Sequence, residues 1–239
     1  MLSTYSYPRA VRLAILASLC FASSTWGAES ATTSEFESLF DGESLKGWTT
    51  ADGKPVTKGW QVVDGMLVRN ARGGSIYTEK EYGDFELRFE WKIARRGNSG
   101  IKYRMAHYDK GVYGRPGWLG YEYQIWDDAR ETSDDTSAAS IYLLQAPAKD
   151  KKVKPAGEFN TARIVAVGTH LEHWLNGEKV LDVETDTDDW LKRIEKTKFG
   201  PIEDIFQNPK GRIMIQDHGN KVWFRNIEIR QIENGGESE

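Results

Sequence analysis

Apolar and polar residues alternate with a period of two along much of this chain, most cleanly in residues 85–92, F-E-L-R-F-E-W-K. Phe85, Leu87, Phe89 and Trp91 share one face and Glu86, Arg88, Glu90 and Lys92 the other, the mark of a strand with one buried side. After a turn-forming R-R-G-N-S-G, residues 101–104 resume the period, with Ile101 and Tyr103 inward and Lys102 and Arg104 outward. Residues 160–168 predict a further strand, 75–78 and 140–144 two short ones, and 212–216 and 222–230 a pair around Asp217-His218-Gly219-Asn220. Asp64-Gly65 within 60–68 and Asn176-Gly177 within 170–183 predict tight hairpins, because both central residues there need positive φ. Residues 35–48 read as a leading strand around Asp41-Gly42. One helix is predicted within 186–199, with Trp190 and Ile194 four apart and Asp188 or Asp189 as its cap. Roughly a dozen short strands with frequent turns predict an all-β, jelly-roll, two-sheet sandwich with one short helix, as a single domain over residues 35–232. The polar tail, 233–239, predicts disorder.

Chemistry concentrates in residues 120–128, G-Y-E-Y-Q-I-W-D-D. As a strand this stretch turns Tyr121, Tyr123 and Ile125 to a packed layer and Glu122, Gln124 and Trp126 together to the other side. A bulge at its end would return Asp127 or Asp128 toward Glu122. An acid, an amide, an indole and a second acid on one surface are the parts of a sugar site: partners for hydroxyls, a flat ring, and carboxyls that move protons. The competing reading is a solvated sheet face, where polar residues alternate outward without function. Gln216 points away from the core set Ile213 and Ile215, and the following turn would hold His218 at the same rim as a proton carrier or ligand. His170 and His173, three apart in a strand, face opposite sides and make a poor metal pair, and His173 reads as a core residue. Acidic runs at 127–135 and 185–189 invite a calcium reading but lack the EF-hand pattern.

Other features narrow the class. A formal net charge of −4 with no basic patch beyond residues 149–154 argues against a nucleic-acid partner. Arg9 and Arg12 precede an apolar run over 13–22 and small residues through Ala28, which predicts a secretory signal over residues 1–28. That run is too short to span a bilayer comfortably. Export to a periplasm or beyond follows, with no membrane span after cleavage; a lipid anchor on Cys20 ranks second because Leu19 before it is bulky. Cys20 is the only cysteine, so the mature chain has neither disulfide nor thiol nucleophile. Phosphate loops, the G-x-S-x-G elbow and H-E-x-x-H are missing. Glu122, Gln124 and Asp127 keep the spacing of the E-x-D-x-x-E strand of sandwich glucanases, but an amide replaces the middle acid and the last is a methylene shorter.

Six motifs together carry a family resemblance: L-F-D-G-E-S-L-K-G-W (39–48), Y-G-D-F-E-L-R-F-E-W-K (82–92), G-N-S-G-I (97–101), G-Y-E-Y-Q-I-W-D-D (120–128), W-L-N-G (174–177), and I-Q-D-H-G with W-F-R-N-I-E-I-R (215–230). In order and across the whole mature chain, they resemble the 3-keto-disaccharide hydrolase domain, also described as 3-keto-glycoside lyase and 3-keto-2-hydroxy-glucal hydratase. The resemblance implies a concanavalin A-like sandwich, an exported bacterial protein, and a sugar substrate already oxidised at C3. A C3 ketone acidifies the C2 proton, so a base removes it, the C1 substituent leaves, and water adds back for net hydrolysis. On that reading Glu122 or His218 is the base and the other the acid or a ligand of one divalent metal ion, with no organic cofactor. Lys102 and Arg104 would stabilise the enediolate, Asn98, Gln124 and Gln216 would bind hydroxyls, Trp126 would stack on the ring, and Asp127 would complete the substrate face. The alternatives are a non-catalytic carbohydrate-binding module of lectin or laminin-G type and an ordinary endoglucanase.

Overall fold

The computed structural model describes residues 32–128 and 134–233. The predicted signal, residues 234–239 of the predicted tail, and the middle of the first acidic run lie outside them; Glu233 itself ends a strand. Besides a short 3-10 turn at Val112–Gly114, fourteen strands and one α-helix are described. They are β1 (Thr32–Thr33), β2 (Glu37–Ser38), β3 (Trp48–Thr49), β4 (Trp60–Val63), β5 (Met66–Arg69), β6 (Ile76–Tyr82), β7 (Phe85–Ile93) and β8 (Asn98–Tyr108), then β9 (Gly117–Trp126), β10 (Asn160–Val167), β11 (His170–Leu175), β12 (Glu178–Glu184), α1 (Asp188–Glu195), β13 (Gly211–Ile215) and β14 (Val222–Glu233). The larger sheet runs β12-β11-β10-β7-β14-β5-β4, with β1 and β2 also pairing to β14. The smaller runs β3-β6-β13-β8-β9. Neighbours distant in sequence, all antiparallel, make this a jelly-roll, concanavalin A-like sandwich. No helix among the described residues is long and apolar enough to cross a membrane.

The inward sets meet as alternation requires. Phe85, Leu87, Phe89 and Trp91 of β7 are buried, as are Tyr121, Tyr123 and Ile125 of β9. Phe85 meets Tyr103 edge-on with centroids 5.9 Å apart, and Phe89 meets Tyr123 at 5.5 Å, so aromatic pairs join the two sheets. Each such ring taken from water stabilises the sandwich by about 2 kcal/mol before entropy is counted. Both hairpins form as the turn residues require: Asp64 and Gly65 have φ of 51° and 71°, Asn176 and Gly177 50° and 86°.

Several local expectations are corrected. Residues 35–48 hold two short strands, β2 and β3, because Asp41 accepts the amides of Glu43 and Ser44 and turns the chain between them. The helix is capped by Thr187, whose side chain accepts the Trp190 amide, and not by an aspartate. Residues 140–144 form no regular strand. Instead residues 139–142 run along the free edge of β9, with the Ala139 amide donating to Gln124 O at 2.8 Å and the Tyr142 amide to Glu122 O at 3.1 Å. Positive φ at Ala139 (66°) and Leu143 (64°) kinks this edge segment, which leaves only isolated bridges while still closing an open sheet edge.

Candidate active site

Register on the smaller sheet decides which polar residues meet. Lys102 pairs with Glu122 and Gly100 with Gln124 across β8 and β9, while the Gln216 amide bonds Gly100 O from the β13 side. All of these residues therefore share the outer face of three adjacent strands. That face is not solvated: Glu122 is 7% exposed and Gln124 2%. Asn98, Lys102, Glu122, Gln124, Gln216 and His218 line one cavity of about 90 Å³, joined by Tyr142 and Lys198.

Glu122 is the centre of the cavity. Its carboxylate takes an ion pair from Lys102 at 3.1 Å, with both side chains largely shielded. It can lie there only because residue 100 is glycine: a Cβ at that position would stand 2.7 Å from Glu122 Oε1. Around it, Asn98 Oδ1, Gln124 Oε1 and Gln216 Oε1 are buried amide oxygens with no hydrogen-bond partner. The Gln124 Nε2 donates to Thr136 O, which fixes the orientation of that amide. Unpartnered buried acceptors cost stability, about 1–3 kcal/mol each, so three of them facing one cavity call for donors from water or a ligand.

His218 stands exposed at the rim on a turn that is itself held rigidly. Asp217 beside it pairs with Arg69 at 2.7 Å and accepts the amides of Gly73, Gly74 and Gly219, with only 5% of its side chain exposed. Burial pushes that carboxyl up, but the amide donors and Arg69 outweigh it and hold the pKa below the ordinary aspartate value. Asn220 Oδ1 accepts the Asn98 amide and ties the same turn to β8.

Three expected members are elsewhere. Arg104 lies at a bulge between Tyr103 and Ala106 with φ of 50°, which breaks the alternation and turns its side chain away from Lys102. Its guanidinium is buried, donating to Gly168 O at 2.6 Å and Asp84 Oδ1 at 3.0 Å, and so braces the β10–β11 turn and the β6–β7 turn that joins the two sheets. Trp126 pairs with Asn98 but packs onto the apolar core and does not line the cavity. Asp127 accepts the Arg96 amide at 2.7 Å, capping the turn before β8, and Asp128 pairs with Lys151. No bulge returns either acid to Glu122, so Glu122 is the only carboxylate among the described residues lining the cavity.

The sequence profile of the 3-keto-alpha-glucoside-1,2-lyase-like domain matches residues 35–230. The chain belongs to this family. It is thereby a carbohydrate-active enzyme. A 3-keto-disaccharide hydrolase of Bacteroides thetaiotaomicron is 31% identical over 226 residues, which cover 82% of this chain and 78% of that protein. Among solved structures, a candidate glycosyl hydrolase from Parabacteroides distasonis superposes with a TM-score of 0.71 at 33% identity, covering 81% of this chain and 92% of its own. A second from the same organism gives 0.61 at 28%, covering 83% and 100%.

Sequence reasoning missed two lining residues of this family member, Tyr142 and Lys198. Tyr142 comes from the edge segment and Lys198 from the turn that ends α1. That turn is built by Thr197, whose amide and hydroxyl both donate to Ile194 O and whose hydroxyl accepts the Phe199 amide. Burial raises the Tyr142 phenol, with Glu122 adding to the effect; burial also lowers the Lys198 ammonium, reinforced by the like charge of Lys102 and opposed by Glu122. The two histidines of β11 part as expected. His170 pairs with Glu184 on the outer face at 2.8 Å, and His173 is fully buried between the sheets.

Proposed function

We propose that this protein cleaves 3-keto glycosides by removing the C2 proton, eliminating the C1 substituent and adding water back, with net hydrolysis. The observation that carries this reading is that Glu122 is the one carboxylate among the described residues lining the cavity. Glycosidases acting on unoxidised sugars use two facing carboxyls, one as acid and one as nucleophile or base. Here Glu122 faces amides, lysines and an imidazole, and Asp127 and Asp128 are engaged elsewhere. Elimination beside a ketone needs one base, one acid and a place for the enediolate charge.

Glu122 is the base in this scheme, since it is a buried carboxylate of the cavity and is held over Gly100. His218, at the mouth, meets the departing oxygen and gives it a proton of its own, while the C2 proton stays on Glu122. The free amide oxygens of Asn98, Gln124 and Gln216 accept from sugar hydroxyls. A cavity of about 90 Å³ is well below the several hundred Å³ that encloses a small ligand, so the sugar enters edge first with the rest of the substrate outside.

The same carboxylate, amide oxygens and imidazole fit a hard divalent cation, because three of those oxygens are buried and unpartnered. Glu122, Asn98, Gln124, Gln216 and His218 would hold it. Such an ion, when bound, polarises the ketone and supports charge on its oxygen. The leader over residues 1–28 favours action outside the cytoplasm, in a periplasm or beyond. Incubation with a 3-keto glucoside and with its unoxidised parent tests the function. Ketosugar release from the first alone is expected, with a loss of about 10³-fold in Glu122→Gln. Equal cleavage of both substrates, or binding without any product, would refute it.

A further inference from the structure

Arg104 was expected to supply positive charge for the enediolate, and it is spent on Asp84 and Gly168 instead. Lys102 is compensated by Glu122. Lys198 differs from both. It lines the cavity half-buried, with its ammonium 4.9 Å from the Tyr142 ring centroid and 5.3 Å from that of Phe199. No carboxylate among the described residues lies within ion-pair distance of it. Aromatic faces repay only part of the cost of drying an ammonium, and Lys102 nearby adds like-charge repulsion.

The fold goes to some length to hold that charge there. The helix is anchored by Trp190 and Ile194 and by an Arg193 hydrogen bond to Gln145 in the loop that follows the edge segment. Beyond it Phe199 packs edge-on against Phe206 at 5.1 Å. Gly200 lies so close to Glu195 that a Cβ would stand 2.6 Å from its carbonyl oxygen. A cation with no ion-pair partner among the described residues, fixed in a small polar cavity, is arranged for an anion that arrives later.

Resting on the function proposed above, we propose that Lys198 is the catalytic cation that receives the charge on the C3 oxygen as the C2 proton leaves. The C2–H bond breaks and its proton goes to Glu122. Its electron pair becomes the C2–C3 double bond, and the carbonyl π pair moves onto the C3 oxygen beside the Lys198 ammonium. When the C1–O bond then breaks, the same electrons re-form the ketone, a C1–C2 double bond takes the place of C2–C3, and the leaving oxygen keeps the C1–O pair.

A 3-keto sugar bearing hydrogen in place of the C1 substituent, 3-keto-1,5-anhydroglucitol, isolates the first step because it lacks the exocyclic leaving group at C1. Exchange of its C2 hydrogen in D₂O, followed by NMR, reads proton removal alone. The intact enzyme is expected to catalyse exchange, and Lys198→Met to lose about 10²-fold or more of that rate while its affinity for the ketone changes little. Lys198→Arg should keep part of the rate and lack the alkaline decline that loss of the lysine proton imposes, because a guanidinium does not titrate there. Undiminished exchange in Lys198→Met with collapsed glycoside turnover would assign Lys198 to the leaving group and overturn the proposal. An equal loss of affinity and rate would also overturn it, as simple binding. If the unaltered enzyme neither exchanges this hydrogen nor releases product from any 3-keto glycoside, the underlying function fails instead.

Discussion

His173 offers the sharpest quantitative test of how the core supports the site. It is 0% exposed, with Nδ1 3.0 Å from Ala139 O and Nε2 3.0 Å from the Tyr103 hydroxyl. A carbonyl cannot donate, so Nδ1 carries the proton and Nε2 accepts from Tyr103. The neutral ring thus pins the edge segment that pairs with Glu122 and Gln124. Burial lowers its pKa from 6.5 to about 4 against the opposing bonds to Ala139 and Ser140. Between those values the unfolded chain binds the proton and the native one does not, so stability is complete above pH 6.5 and drains as pH falls toward 4. At about 1.4 kcal/mol per unit, the loss between pH 7 and 4.5 is on the order of 2 kcal/mol from this residue. His173→Gln keeps a donor and an acceptor but does not titrate. Urea unfolding at both pH values should show the wild type losing about 2 kcal/mol more than the variant, with unchanged m. Parallel losses would mean that the ring is already charged or is reached by water, and the reasoning would fail.

Four further outcomes are expected. Gly100→Ala places a methyl against Glu122 Oε1 at 2.7 Å; the fold should survive while kcat drops about 10²-fold, as circular dichroism and turnover would show together. Asp217→Ala strands the Arg69 guanidinium, so unfolding in denaturant should reveal a loss of about 3 kcal/mol, whereas His218→Ala should cost turnover and almost no stability. If a divalent ion is essential, a strong chelator abolishes product formation and added metal restores it; full activity in chelator would remove the ion from the mechanism. Gln216→Met replaces an unpartnered buried oxygen with an apolar group of similar shape, so the variant should unfold about 1 kcal/mol later and bind substrate more weakly, seen as a raised KM.

Alternation and hairpin chemistry were enough to bring together most of the residues that line the cavity, because a period of two fixes the face of every residue on an unbroken strand. Glu122, Gln124, Lys102 and Gln216 came out together for that reason, whereas Asn98, which begins β8, fell in a stretch read as a turn and entered only through the family resemblance. Arg104 failed for the same reason: one bulge after Tyr103 reverses the faces, and a non-glycine residue at φ of 50° leaves no trace in the sequence. Asp127 and Trp126 sit where the strand ends and the period stops applying. Tyr142 and Lys198 lie on irregular chain, and they converge with lining residues 18 to 100 positions away, which no local pattern encodes. One hint was available: a lone amphipathic helix in an all-β chain needs something to do, and here its last turn delivers Lys198.

The two faces of β9 show why this site resembles a solvated sheet surface in sequence and not in space. Its inward residues are as dry as any in the core, and its outward pair, Glu122 and Gln124, is nearly as dry. An acid buried among apolar groups would take up a proton rather than remain a base. Here Lys102 compensates the carboxylate directly, while the amide oxygens and Lys198 have no such partner among the described residues. On the proposed mechanism the polar groups at the cavity divide by stage: one ion pair is complete before substrate arrives, and the unmatched acceptors and cation would gain partners only when hydroxyls and a developing oxyanion enter. Such a division would favour the transition state over the empty enzyme, which is the condition for raising a rate rather than merely binding a sugar.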